Sequence, residues 1–225
     1  MDFDRDWYRE KASRIAVLAH IFGIIALILM LVWLLHYRGG FNLDDYENPT
    51  RIFNIHPFLM FFGFIFFAGE AMMVYKTVIA EPRTQKMIHM IMHIIAITLG
   101  IVGIYATFKY HSAKNLTTMY TMHSWIGLGT FILYGIQWLV GFVTYWIPRR
   151  SSTRARFAPW HVNLGRILLY MAICTAETGL MQIFTILRLV ASHEARLINF
   201  IGLAILLFGI TVDLSISFAR FGHIN

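Results

Sequence analysis

The stretch TMHSWIGLGTFILYGIQWLVGFVTYWI, residues 121–147, contains no Asp, Glu, Lys or Arg. A helix rising 1.5 Å per residue needs about 20 mostly apolar residues to cross about 30 Å of hydrocarbon, and this run is long enough. Its apolar residues lack the alternation of a barrel strand, so a helix is the form that satisfies its backbone in lipid. One ionisable side chain, His123, stands a few residues inside. An apolar run with a histidine near its start recurs along the chain, and that recurrence decides the fold.

Five further runs qualify, at approximately 15–37, 53–77, 87–109, 161–187 and 195–219. The chain is expected to be an all-α polytopic membrane protein, with six transmembrane helices in a single domain over residues 1–225. Loop chemistry separates the runs: Arg38-Gly39-Gly40 through Asn48-Pro49, Glu81-Pro82-Arg83, His111 to Thr118, Pro148 to Pro159, and Ser192-His193-Glu194. The first run is too long for a cleavable signal, and the mixed-charge residues before it are expected to lie at the interface.

Hydrophobic residues make up 58% and charged residues 14%, with a mean hydropathy of +0.61. A soluble domain carries about 25% charged residues, because water must wet its surface. The net charge of +7 forms no basic stripe interleaved with aromatics, so lipid is the expected partner and nucleic acid is not. The cations sort by membrane side instead. Arg5, Arg9, Lys11, Arg14, Lys76, Arg83, Lys86, Arg149, Arg150, Arg154, Arg156 and Arg220 share one side. Arg38, Arg51, Lys109, Lys114, Arg188 and Arg196 share the other, with the acidic cluster Asp44, Asp45 and Glu47. Twelve against six predicts both termini on the cytoplasmic side. Cys174, the single cysteine, permits no internal disulfide and is expected to serve packing.

Ionisable residues within spans are expensive and signal function. His56, His89, His123 and His161 lie near the starts of spans two, three, four and five. Consecutive spans alternate direction, so His56 and His123 share the non-cytoplasmic half and His89 and His161 the cytoplasmic half. Two imidazoles on facing helices of a bundle clamp a six-coordinate haem, and the filled axial positions favour electron transfer over oxygen chemistry. Helices two to five would form that bundle, with helices one and six as scaffold or dimer surface. Gly63, Gly69, Gly100, Gly103, Gly127, Gly129 and Gly165 could clear a macrocycle or let helices approach closely.

Rival readings use the same residues. A single histidine could satisfy an interhelical hydrogen bond. Zinc could use His89 and His93, an i, i+4 pair on one face, although no carboxylate or cysteine near them completes a tetrahedron. A metal-ion transporter with transient histidine ligands, and a haem-bearing subunit that reduces a protein partner, are the alternative functions. His20 lacks an evident partner at its depth and is expected to be packed or hydrogen-bonded. His36 and His111 fall at span ends, and His193 and His223 are expected in water. Glu70, Glu177 and Asp213 need interior partners that the sequence does not name.

The chain resembles the plant-type cytochrome b561 family of ascorbate-reducible transmembrane electron carriers. The resemblance rests on stretches 36–40 (HYRGG), 53–57 (FNIHP), 69–76 (GEAMMVYK), 120–127 (YTMHSWIG), 141–146 (GFVTYW) and 159–161 (PWH). It implies two haem b groups, one held by His56 and His123 and the other by His89 and His161, the pairs that parity gives. His93, one turn deeper, stands outside the matched pattern and is expected to pack or hydrogen-bond near a haem.

Ascorbate is an anion at neutral pH, so its site needs cations and donors near a haem edge. Arg83 and Lys86 precede His89, and Arg154 and Arg156 precede His161. The resemblance implies a cytoplasmic ascorbate site with Lys86 and Arg154 as the matched cations and Lys76 as a further candidate. Pro82 and Arg83 replace an additional lysine of the pattern. On the other side Tyr110, His111 and Tyr120 flank the loop above His123. The resemblance points to His111 and Tyr120 as contacts for monodehydroascorbate or a ferric chelate. An endomembrane, vacuolar or vesicular, and a homodimer are the family expectations.

Overall fold

The computed structural model describes residues 2–147 and 150–224; Arg149 lies outside them, as do the side chains of Arg5, Arg9 and His223. Six helices among the described residues are long and apolar enough to cross a membrane: α1 (Glu10–Tyr37), α2 (Thr50–Thr77), α3 (Pro82–Ala113), α4 (Met122–Tyr145), α5 (Ser151–Ile186) and α6 (His193–Arg220). No strand occurs among the described residues.

Helices α3 and α5 outrun their expected spans, because hydropathy marks the part in hydrocarbon while hydrogen bonding continues to the next stop signal. Glu81 is extended (φ −60°, ψ 150°) and Pro82 opens α3, where its missing N–H costs nothing. Arg83 and Lys86 therefore sit on the first turns of α3. The stretch 148–159, expected as a loop, is helical from Ser151, so Arg154 and Arg156 also belong to a helix. Pro159 reads as a boundary in sequence, but it forfeits one backbone hydrogen bond and α5 carries through it. At α4, Ser124 N–H donates to Thr121 Oγ1 at 3.2 Å and Thr121 N–H donates to Ser124 Oγ at 3.1 Å. This capping box fixes the helix start around His123.

Helix α2 is irregular. Asn54, almost fully buried, parts its first two turns and donates through its amide to Arg38 O at 2.9 Å and Gly40 O at 2.6 Å. Gly39 (φ 78°) and Gly40 (φ 82°) make the left-handed turn that this anchor requires. Beyond Pro57 the backbone widens into a π-helical stretch, Leu59–Phe66. The chain is thus tied down two residues before His56.

Lipid supplies no hydrophobic drive between helices, so close packing must hold them. Helix α1 buries Ala12, Ala16, Ala19, Ala26 and Met30, and α6 buries Ile198, Ile201, Ile205, Phe208, Val212 and Ser215. These spacings of three and four make a knobs-into-holes seam, and α1–α6 is one of the two most extensive contacts between elements. Ser215 Oγ donates to Ala12 O across it at 3.0 Å. Phe208 fits against Gly23 and Gly69, where added Cβ atoms would lie 3.1 and 2.6 Å from its ring. Helix α4 pairs with α5 and α2 with α3, whereas α3 meets α4 sparsely and α2 meets α5 sparsely. The room inside the fold lies among these four.

The interior acids are resolved side chain by side chain. Asp213 accepts from Arg166 and, at 3.1 Å, from the Tyr170 hydroxyl. Glu70 Oε1 meets His20 Nδ1 at 2.9 Å, which gives His20 its partner. Among the described residues Glu177 Oε1 is buried without a hydrogen-bond partner, and its other oxygen faces Gly202.

Candidate functional site

His56 and His89 stand in the early turns of α2 and α3, His123 opens α4, and His161 follows Pro159 in α5. The fold brings them into two pairs. The ring centres of His56 and His123 are 6.0 Å apart, and those of His89 and His161 are 6.3 Å apart. Two imidazoles sharing one metal ion at about 2 Å from each nitrogen have ring centres roughly 6 Å apart. Both pairs fit a bis-imidazole ligand set. Among the described residues no group of three or more His, Cys, Asp or Glu side chains comes together as a metal site.

Each ring is held by its other nitrogen. His56 Nδ1–H donates to Gly103 O at 3.1 Å, His89 to Ala71 O at 2.8 Å and His123 to Thr175 O at 2.9 Å. A proton on Nδ1 leaves Nε2 bare for a metal, and the carbonyl fixes the ring plane. His161 differs: its Nδ1 faces the Gln137 amide nitrogen at 3.1 Å.

The pair at the end where α2 and α4 begin opens into a cavity of ≈ 470 Å³. Phe61 and Phe64 line its inner wall, and Tyr110, His111 and Tyr120 line it toward the surface. His111 Nδ1–H donates to Thr117 O at 3.1 Å, which orients it on the last turn of α3. Glycine supplies the clearance beside the rings. An added Cβ at Gly179 would lie 2.7 Å from His123 Cε1, and one at Gly141 would lie 2.9 Å from His161 Cε1. The glycines singled out from sequence divide: Gly63 and Gly69 serve helix contacts against Leu99 and Phe208, Gly100 faces Phe131, and Gly127 lines the cavity. A planar cofactor held by such a pair fits this cradle.

At the other end Lys86 Nζ donates to Tyr145 O and lies 5.6 Å from the Trp146 ring centre. Arg154 is near enough for its charge to act on Lys86. Tyr145 links the group to the histidines, with its ring 5.3 Å from His161 and its hydroxyl 3.5 Å from Arg154 O. Arg83 is exposed one turn before Lys86, and Lys76 is half-buried on the last turn of α2. His93 Nδ1 pairs with the Tyr134 hydroxyl, and its ring sits edge-on to His89 at 4.4 Å.

Sequence reading missed Gly179, Gly141 as a spacer, Tyr145 and Gln137. A glutamine in mid-span is costly in lipid, and that was the available signal for Gln137. The other three matter through the helix faces that meet at His123 and His161, which residue type alone does not reveal.

The sequence profile described as eukaryotic cytochrome b561 matches residues 55–186. A probable ascorbate-specific transmembrane electron transporter 1 of Oryza sativa subsp. japonica is 41% identical over 208 residues, covering 90% of this chain and 88% of the relative. A transmembrane ascorbate ferrireductase 2 of Arabidopsis thaliana is 39% identical over 201 residues, covering 87% of each. A transmembrane ascorbate-dependent reductase of Mus musculus is 34% identical over 201 residues, covering 86% of this chain and 78% of the relative.

Proposed function

The chain belongs to the eukaryotic cytochrome b561 family, and on that premise we propose that it is an ascorbate-dependent transmembrane oxidoreductase holding two haem b groups. It takes electrons singly from ascorbate on the cytoplasmic side and delivers them to monodehydroascorbate or a ferric chelate on the other. The observation that carries this reading is the pairing of His56 with His123 and of His89 with His161 at a spacing suited to one metal each. The excess of Lys and Arg at the Lys86 end makes that end cytoplasmic, with both termini.

Bound haem supplies an iron that stores and releases one electron at a time. The chain does the rest. Each histidine pair would hold one haem iron between two imidazoles, and a haem so held would serve electron transfer and not dioxygen chemistry. The carbonyls of Gly103, Ala71 and Thr175 hold three of the rings in the ligating tautomer. Phe61 and Phe64 keep water from the inner wall. Lys86 and Arg154 present positive charge to the ascorbate anion, and charge-assisted hydrogen bonds of this kind are the strong ones. Tyr110, His111 and Tyr120 offer donors and acceptors to the acceptor at the opposite mouth.

Proteoliposomes loaded with ascorbate test the whole reading. They are expected to reduce an external ferric chelate with no other protein added. Vesicles that stay inert while ascorbate still reduces the bound haem would transfer the role to a subunit serving a protein partner.

A further inference from the structure

His161 is the one ligand candidate whose Nδ1 meets a side chain instead of a main-chain carbonyl. The Gln137 amide nitrogen donates to His161 O at 2.7 Å and stands 3.1 Å from Nδ1. In that arrangement Nδ1 is an acceptor and the ring proton sits on Nε2, the nitrogen that a metal needs bare. Turning the amide so that its oxygen meets Nδ1–H reverses these roles and gives up the bond to His161 O. Gln137 and His161 also line a common cavity between α4 and α5. A main-chain carbonyl has no such freedom.

We propose that Gln137 is the positioning residue for His161: its amide orientation sets the ring's tautomer and, through it, the donor strength of this ligand toward iron. The inference rests on the haem reading above. Its consequence is that the haem held by His89 and His161 has a reduction potential that one side chain tunes, independently of the haem held by His56 and His123. An acceptor on Nδ1–H makes imidazole a stronger donor and favours ferric iron. Removing the acceptor does the reverse.

The test is a spectroscopic redox titration of purified, haem-loaded protein, repeated in a His123→Ala background so that the potential belongs to one haem. Gln137→Met keeps the length and removes the hydrogen bond, whereas Gln137→Glu can only accept from Nδ1–H. The Met variant is expected to raise the potential of the His89/His161 haem by at least a tenfold change in its reduction equilibrium, about 59 mV for a one-electron couple. The Glu variant is expected to return it to the wild-type value or below. The other haem should keep its potential in both. Should the Met variant lose the His161 haem alone, recovery in the Glu variant supports the proposal, and no recovery reduces Gln137 to packing and overturns it. Two haems at unchanged potentials in the Met variant also overturn it, leaving the haem reading intact. A wild-type protein without haem would sink that reading first.

Discussion

At Gly179 and Gly141 one methyl group decides how much room a histidine ring has. Their added Cβ atoms would reach within 2.7 and 2.9 Å of His123 and His161. Overpacking costs about 1–3 kcal/mol, roughly a five- to 150-fold shift in an occupancy equilibrium. Gly179→Ala should therefore deplete the haem at His123 and spare the other, and Gly141→Ala should do the opposite; haem content by visible spectrum reads both. Lys86→Ala or Arg154→Ala should raise the KM for ascorbate with haem content unchanged. Loss of a charge-assisted hydrogen bond of about 1.5–3 kcal/mol implies a roughly ten- to 150-fold rise. At this scale sequence showed the groups that are costly in lipid. His56, His89, His123 and His161 could be paired from depth and direction alone. The His20–Glu70 contact could not, because it depends on which faces of α1 and α2 turn together. Gln137 was hidden for a similar reason, since its role lies in where its amide points.

Helices were legible by length and hydropathy, and their ends were not. The span expected from 161 begins at Ser151, and Pro159 misled because a helix supported on both sides can lose one hydrogen bond and continue. The π-helical stretch Leu59–Phe66 left no trace, since a run apolar on every face has no periodicity to shift. The α5–α6 contact is held partly by Arg166 with Asp213, Tyr170 and Ser217. Asp213→Ala strands the guanidinium in the span and should lower stability by about 1–3 kcal/mol, read as a lower thermal midpoint in detergent. Replacing both partners with apolar residues, Arg166→Met with Asp213→Leu, should restore most of it. No recovery would mean that the pair does more than satisfy itself.

The whole molecule is a four-helix cradle, α2 to α5, braced by the α1–α6 seam. The cradle was legible because histidines marked its helices. The seam was foreseen only as scaffold, since the alanines of α1 read equally well as lipid-facing until α6 is set beside them. Reporters fused to either terminus should both register on the cytoplasmic side, and a split result would reverse the assignment of donor and acceptor ends. Two independent histidine pairs holding one haem b each should show in the haem-to-protein ratio of purified protein, taken from its visible spectrum. Two haems are expected in the wild type and one in each of His123→Ala and His161→Ala; one haem in the wild type, or loss of both in either variant, would overturn the two-site reading.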